Sequence, residues 1–322
     1  MKARSKPKDF AANFAKQVPK FFKKVGMHIK RHYQLYIMIL PAIVIIFIFN
    51  YIPMYGLQIA FKKFVPALGF SGSEWVGFKN FHRFFTAYNF WPILRNTLGL
   101  SAYQLIAGFP FPIILALLLN QIRHKRFKRT VQTVTYMPHF ISVVVVVGML
   151  SLFTSPSKGI IGQFVSLLGM EPINVMGEPE WFKTLYVFSG VWQSAGWGSI
   201  IYLAALSSID PSLYEAAYMD GASNAQKIWH IDIPSILPTA IILLLLSAGR
   251  IMNIGFEKAY LMQNNVNIPT SEIISTYVYK IGLLNSQYSY SAAIGLFNTV
   301  VNFILLVTLN KIARKTSETS IW

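Results

Sequence analysis

The stretch from Ser207 to Pro238, SSIDPSLYEAAYMDGASNAQKIWHIDIPSILP, decides how the chain is read. Asp210-Pro211 is a helix-start signal: the carboxylate accepts a hydrogen bond from first-turn amides, and the proline ring presets φ at the first helical position. Tyr214 to Met219 is a good helix former. Gly221 interrupts it and permits a tight bend. Ala222 to His230 can resume as a second helix, and Pro234 and Pro238 are expected to stop or kink the chain beyond it. The expectation is a short helix lying across the end of a larger body. Ala216 and Ala217 leave a smooth surface that another protein can approach closely, and Glu215 and Asp220 supply charges for register. Spacing alone reads equally well as an ordinary amphipathic connector.

On both sides of this loop the chain is apolar. Of its 322 residues, 54% are hydrophobic and 13% charged, where a soluble domain carries about a quarter charged; the mean hydropathy is +0.45. Six long apolar stretches fall at about 33–57, 94–119, 131–153, 183–206, 236–256 and 288–310. Each is long enough to cross a hydrocarbon core of about 30 Å as a helix. Backbone polar groups in lipid must bond internally, so these runs read as helices. The fold class is therefore all-α: a polytopic membrane protein with six transmembrane helices. Residues 1–32 form a basic segment, 33–310 the membrane domain with the loop 207–238 between its fourth and fifth spans, and 311–322 a tail.

Orientation follows from lysine and arginine. Nineteen lie in the N-terminal segment, the loops after the second and fourth spans and the C-terminal tail; nine lie in the opposite loops and their edges. The positive-inside rule puts both termini, and the 207–238 loop, in the cytoplasm. The net charge of +17 is thus mostly topological and does not point to nucleic acid. The basic N-terminal segment, with Phe10, Phe14, Phe21 and Phe22 interleaved, reads as an amphipathic helix on anionic membrane lipid. Tyr51, Trp75, Trp91 and Trp181 read as interfacial anchors.

The chain has no cysteine, and its six histidines form no HExxH motif, which leaves no thiolate chemistry and no zincin-type metal motif; the one HxxxH spacing, His28 and His32, falls in the basic segment among Lys30 and Arg31. No paired intramembrane carboxylates suit a membrane-embedded enzyme, and no pore loop or charged ring suits a channel. No GxxxxGK[ST] phosphate loop is present: Gly72 and Gly77 have the glycine spacing, but Phe78 stands in the lysine position.

Glu215-Ala216-Ala217, three residues, Gly221-Ala222, and then Ile231-x-Ile233-Pro234 resemble the EAA motif of the permease subunits of ABC importers, departing at Ile233, where leucine is usual. The similarity extends over nearly the whole chain. WVGFKNF (75–81) resembles the first outer loop of carbohydrate permeases, and GFEKAYLM (255–262), ISTYVYKIGL (274–283) and the C-terminal NKIARKTSETSIW resemble the branch for complex oligosaccharides and polysaccharide fragments. The resemblance implies a type I ABC importer permease. Its partners are two ATP-binding subunits, a second homologous permease and an extracytoplasmic solute-binding protein. It implies that Glu215, Ala216, Ala217, Asp220, Gly221, Ala222, Ile231 and Pro234 form the coupling helix and its hinge. ATP and Mg would be bound by the partner ATPase and no cofactor by this chain. The solute implied is an oligosaccharide, including uronate-containing alginate or pectin fragments; another solute class, such as peptides, is the alternative.

Polar groups inside spans default to functional hypotheses. Arg250, read as lying within the fifth span, suits a hydroxyl-rich or anionic sugar; the plainer reading is snorkelling or a pair with Glu257. Span four offers Trp192, Gln193, Trp197 and Tyr202, where rings stack on sugar C–H faces and an amide reads hydroxyls. The small residues around them also suit helix packing. Asn253, Tyr136, His139, Tyr103 and Gln104 are candidates of the same kind. For His139, beside Pro138, a bent helix or a satisfied core histidine is the simpler reading.

Overall fold

A computed structural model describes residues 30–169, 171 and 174–316. Residues 1–29 of the basic segment read as a membrane-surface helix, and the end of the tail, lie outside the described residues. The chain divides into two units, residues 1–58 and 59–322.

Most of the described part of the first unit is α1 (Tyr33–Phe61), which ends three residues past the boundary and whose most apolar window has no buried residue. An apolar helix this exposed suits hydrocarbon, which satisfies no backbone group but needs none satisfied. A π turn, Phe47–Tyr51, ends two residues before Pro53. Proline lacks an N–H and its ring crowds the carbonyl four residues back. One wider turn lets the helix continue past it.

The second unit opens with a two-residue ribbon, β1 (Lys62–Lys63) and β2 (Glu74–Trp75), paired antiparallel with Lys62 opposite Trp75. It is followed by α2 (Lys79–Phe85), α3 (Phe90–Gln121), α4 (Lys125–Tyr136), α5 (Val143–Phe153), α6 (Ile160–Leu167), α7 (Pro179–Ser207), α8 (Pro211–Met219) and α9 (Asn224–Ala248). Then come α10 (Phe256–Met262), α11 (Ile268–Ser271), α12 (Ile274–Tyr279) and α13 (Tyr288–Thr316).

Among the described residues, four helices are long and apolar enough to cross a membrane: α1, α3, α9 and most of α13; a bent pair brings this to five. That pair covers the stretch read as the third span, 131–153, and is broken within it. Residues Lys125–Phe140 and Val143–Phe153 meet at 99°. Pro138 opens a short 3-10 turn, Ile141 is extended, and Ser142 starts α5 by accepting from the Val145 amide at 3.4 Å. The expected bent helix beside His139 is present.

α7 is 29 residues long and packs against α3, α4, α9, α10 and α11. Towards its start, Phe182, Tyr186, Val187 and Val191 join Leu100, Val147 and Ile254 in one apolar cluster. Towards its end, Tyr202 and Leu206 join Ala116, Leu117, Ile236 and Ala240 in another. A third cluster holds α2, α12 and α13 together through Phe84, Ile274 and Ile294. Midway, buried Gly196 lets the α4 backbone at Thr135 come so close that a Cβ would overlap its carbonyl.

Two expectations for the fifth span are corrected. Pro234 and Pro238 do not stop the chain: the helix runs from Asn224 through both to Ala248. A π turn, Ile228–Asp232, again ends two residues before the proline. The span also does not reach 256. It ends at Ala248, capped by the Gly249 amide on the Leu245 carbonyl at 2.8 Å, and Arg250 lies in the turn beyond it.

Candidate functional site

Two places collect the candidate residues. The first is the corner made by α8. Asp210 caps it, accepting from the Ser212 amide at 2.9 Å, and that hydrogen bond holds the Asp210 carboxyl below the usual carboxylate range. At the other end the Ala222 amide bonds the Ala217 carbonyl at 2.9 Å and the Gly221 amide bonds Tyr218 at 3.1 Å. This pair of bonds places Gly221 in the left-handed region, at φ +74°, where glycine carries no Cβ penalty. Ser223 and Gln226 then form a capping box that starts α9. Glu215, Ala216 and Asp220 are exposed and Ala217 and Ala222 half-buried, so the smooth patch faces outward. Ile231 is half-buried and Pro234 exposed on α9.

Sequence reading missed what lies beneath this corner. Asp232 is 0% exposed. Its Oδ1 accepts from the Tyr214 hydroxyl and its Oδ2 from Gln121 Nε2 at 3.0 Å. Asn120 in turn hydrogen-bonds the Tyr214 oxygen, while burial, followed by the bond to and charge of Asp232, pushes the Tyr214 hydroxyl up to about 12. The available signal was a lone acid between Ile231 and Ile233, two apolar neighbours, one turn from a span.

The second place is a cavity of about 420 Å³ between α3, α7, the end of α9 and the segment 249–255. Its size falls in the range of about 300–1,000 Å³ typical of small-molecule sites. Ser101, Gln104, Ser194, Ser247, Arg250 and Asn253 line it, with no carboxylate among the lining residues. Asn253 Oδ1 accepts from Asn298 Nδ2 at 2.9 Å and Asn302 Nδ2 at 3.2 Å. The pair of Arg250 with Glu257 does not form; among the described residues the ion pair is Lys280 with Glu272, at 3.0 Å. A second cation stands behind the wall. Lys258, 8% exposed, donates to the Tyr186 carbonyl at 2.8 Å. Its Nζ is 3.4 Å from where a Cβ on lining Gly190 would sit. Sequence reading counted Lys258 only as loop charge.

Of the span-four candidates, Tyr202 reaches this cavity and the other three go elsewhere. Gln193 Nε2 donates to the Ile141 carbonyl at 2.8 Å, satisfying a backbone oxygen that the α4–α5 break leaves without a helical partner. Trp192 lines a separate, apolar cavity of about 630 Å³ with Val146, Phe153 and Trp181. Trp197 stacks on His139, with centroids 4.7 Å apart and planes 2° off parallel, and Phe140 stands edge-on. His139 is exposed, so it is not a core histidine. Tyr136 is half-buried. Tyr103 meets Phe188 edge-on, and Tyr202 is buried at the cavity wall.

Residues 108–318 match the family model described as binding-protein-dependent transport system inner membrane component. The chain is 46% identical over 288 residues to the polygalacturonan/rhamnogalacturonan transport system permease protein YteP of Bacillus subtilis (strain 168), covering 89% of this chain and 90% of that one. It is 44% identical over 287 residues to protein LplB of the same organism, covering 89% and 90%. Among solved structures it superposes with TM-score 0.84 and 40% identity on a chain of a bacterial alginate ABC transporter in complex with an alginate pentasaccharide-bound periplasmic protein, covering 92% of this chain and 99% of that one.

Proposed function

The chain belongs to the family of binding-protein-dependent transport system inner membrane components, and we propose that it forms half of the pathway by which an ATP-driven importer takes up a uronate-containing oligosaccharide. The observation that carries this reading is the cavity holding Arg250, with Lys258 behind it and no carboxylate in its lining. A cation not matched by an acid, next to Gln104, Ser101 and Asn253, offers charge to a carboxylate and hydrogen bonds to hydroxyls.

The spans on this reading are α1, α3, the bent α4–α5 pair, α7, α9 and α13, with α8 and both termini on the cytoplasmic side. α7 is less apolar than its neighbours; it packs against five other helices, and Gln193 and Ser199 meet backbone partners. A second permease completes the pathway, two ATP-binding subunits dock at the α8 corner, and a binding protein delivers the solute from outside. ATP and loaded binding protein must both favour one conformation of the bundle, since a ligand shifts an equilibrium only by its differential affinity.

The test is ATP hydrolysis by the whole complex in proteoliposomes, with binding protein and a panel of neutral and uronate oligosaccharides. Uronates should stimulate hydrolysis in the native complex. Arg250→Ala should lose about tenfold of that stimulation, the worth of one charge-assisted hydrogen bond, and retain basal hydrolysis. Full stimulation of Arg250→Ala by uronates would remove the charge-reading role.

A further inference from the structure

α8 has no buried residue, and Leu213, Tyr218 and Met219 are exposed. It contributes no side chain to any of the three apolar clusters. Among the described residues, the hydrogen bonds its side chains make to other elements all pass through Tyr214. An exposed helix resting on a surface can rock or slip when pushed. One pinned through a buried charge-assisted bond cannot move without taking its partner along, because the alternative is a charged group left unpaired in the interior.

The partner is well placed to be taken along. Asp232 is fully buried, a position carboxylates take only when paired. One oxygen is held from α8 by Tyr214 and the other from the end of α3 by Gln121, so a single side chain joins α8, α3 and α9. Both long helices then run from this joint to the solute cavity. α3 reaches it at Pro112, Gln104 and Ser101, and α9 at Leu243 and Ser247, just before Arg250.

We propose that Tyr214 and Asp232 form the joint that passes displacement of α8 into α3 and α9, acting as positioning residues in coupling and touching neither the ATPase nor the solute. This rests on the importer reading above. Glu215 and Ala216 face outward, where a partner can press; Tyr214 faces inward from the same turn and delivers the push.

The experiment uses the assembled complex in proteoliposomes, with binding protein loaded with a short oligogalacturonide, and compares the native chain with Tyr214→Phe, Asp232→Asn and the double variant. The readouts are co-purification of the ATPase, basal hydrolysis, and solute imported per ATP. All three variants should assemble and keep basal hydrolysis. Import per ATP should fall about fivefold or more, the lower range of measured coupling between sites. The double variant should fall no further than the worse single one, since both changes open the same joint. Unchanged import per ATP in the single variants overturns the joint, as does an additive loss in the double. Failure of the mild Tyr214→Phe variant to assemble also overturns it, by assigning the contact to folding. A native complex that loaded binding protein does not stimulate overturns the importer reading, and the joint with it.

Discussion

Asn302, on α13, should govern both the stability of the bundle and the position of Arg250. It is 8% exposed, and the backbone it holds, at Met252, is 1% exposed. Its Oδ1 accepts the Met252 amide at 3.0 Å, and its Nδ2 donates to Asn253 Oδ1 at 3.2 Å. Asn302→Leu keeps the volume and removes both bonds. Leaving the buried Met252 amide without an acceptor costs about 1–3 kcal/mol, and the second bond adds about 1 kcal/mol. For a chain of this length each kcal/mol lowers the melting temperature by roughly 2 °C. Purified permease in detergent should therefore melt about 4–8 °C lower. Asn298→Ala is the control. It removes the 2.9 Å bond to Asn253 Oδ1 but leaves the Asn302 bond to the same oxygen, so its melting temperature should fall by about 2 °C. The Asn302→Leu complex, even when assembled at low temperature, should also respond less to uronate solutes, since Arg250 is two residues from the freed amide. A melting temperature for Asn302→Leu equal to that of Asn298→Ala would refute the reasoning, because the buried amide would then have found another partner.

Gly221→Ala forces an L side chain to φ +74° although nothing lies within 4 Å of its Cβ, so the cost is conformational alone, about 1 kcal/mol. Amide exchange at Ala222 should speed up in Gly221→Ala and less so in Gly221→Asn, which tolerates this region better. The Asp210 cap should be sensitive to acid. Its folded pKa is depressed, so its contribution is present above the usual carboxylate value and is lost as pH falls through the lower folded value. The protection of the Ser212 amide, the ratio of its intrinsic to its observed exchange rate at the same pH, should fall on acidification in the native chain and stay level in Asp210→Asn. Gly196→Ala drives a Cβ into the Thr135 carbonyl; it should force α4 from α7, break the Gln193–Ile141 bond and cost at least about 1–3 kcal/mol by overpacking, read as lost expression or a lower melting temperature.

The helices were legible because each long apolar run has one structural solution in lipid. The ends of α8 were legible because Asp210-Pro211 and Gly221 act through local backbone chemistry that needs no tertiary partner. The errors share a cause. Pro234 reads as a stop only if the helix must keep α geometry, and the π turn Ile228–Asp232 removes that condition. Gln193 reads as a sugar ligand only while the Ile141 carbonyl, 52 residues away in sequence, is out of sight. Asp232 looked like one more loop acid because Tyr214 and Gln121, which justify its burial, lie 18 and 111 residues off.

α7 carries the same lesson in reverse. At 29 residues it is as long as α13, yet it is not apolar enough to count as a span by composition. A helix facing lipid must be apolar there; one enclosed by protein is released from that demand, provided its polar groups find partners. Those of α7 do. Gln193 bonds Ile141, Ser199 bonds Gly196, and the Tyr186 carbonyl holds Lys258. Gly190, Ser194 and Gly198 turn one face to the cavity with Arg250, where small side chains leave room for a solute. Weak hydropathy in an otherwise greasy chain thus marks the helix with the most helix neighbours, and Gly190, Ser194 and Gly198, which contribute to that weakness, shape the cavity wall.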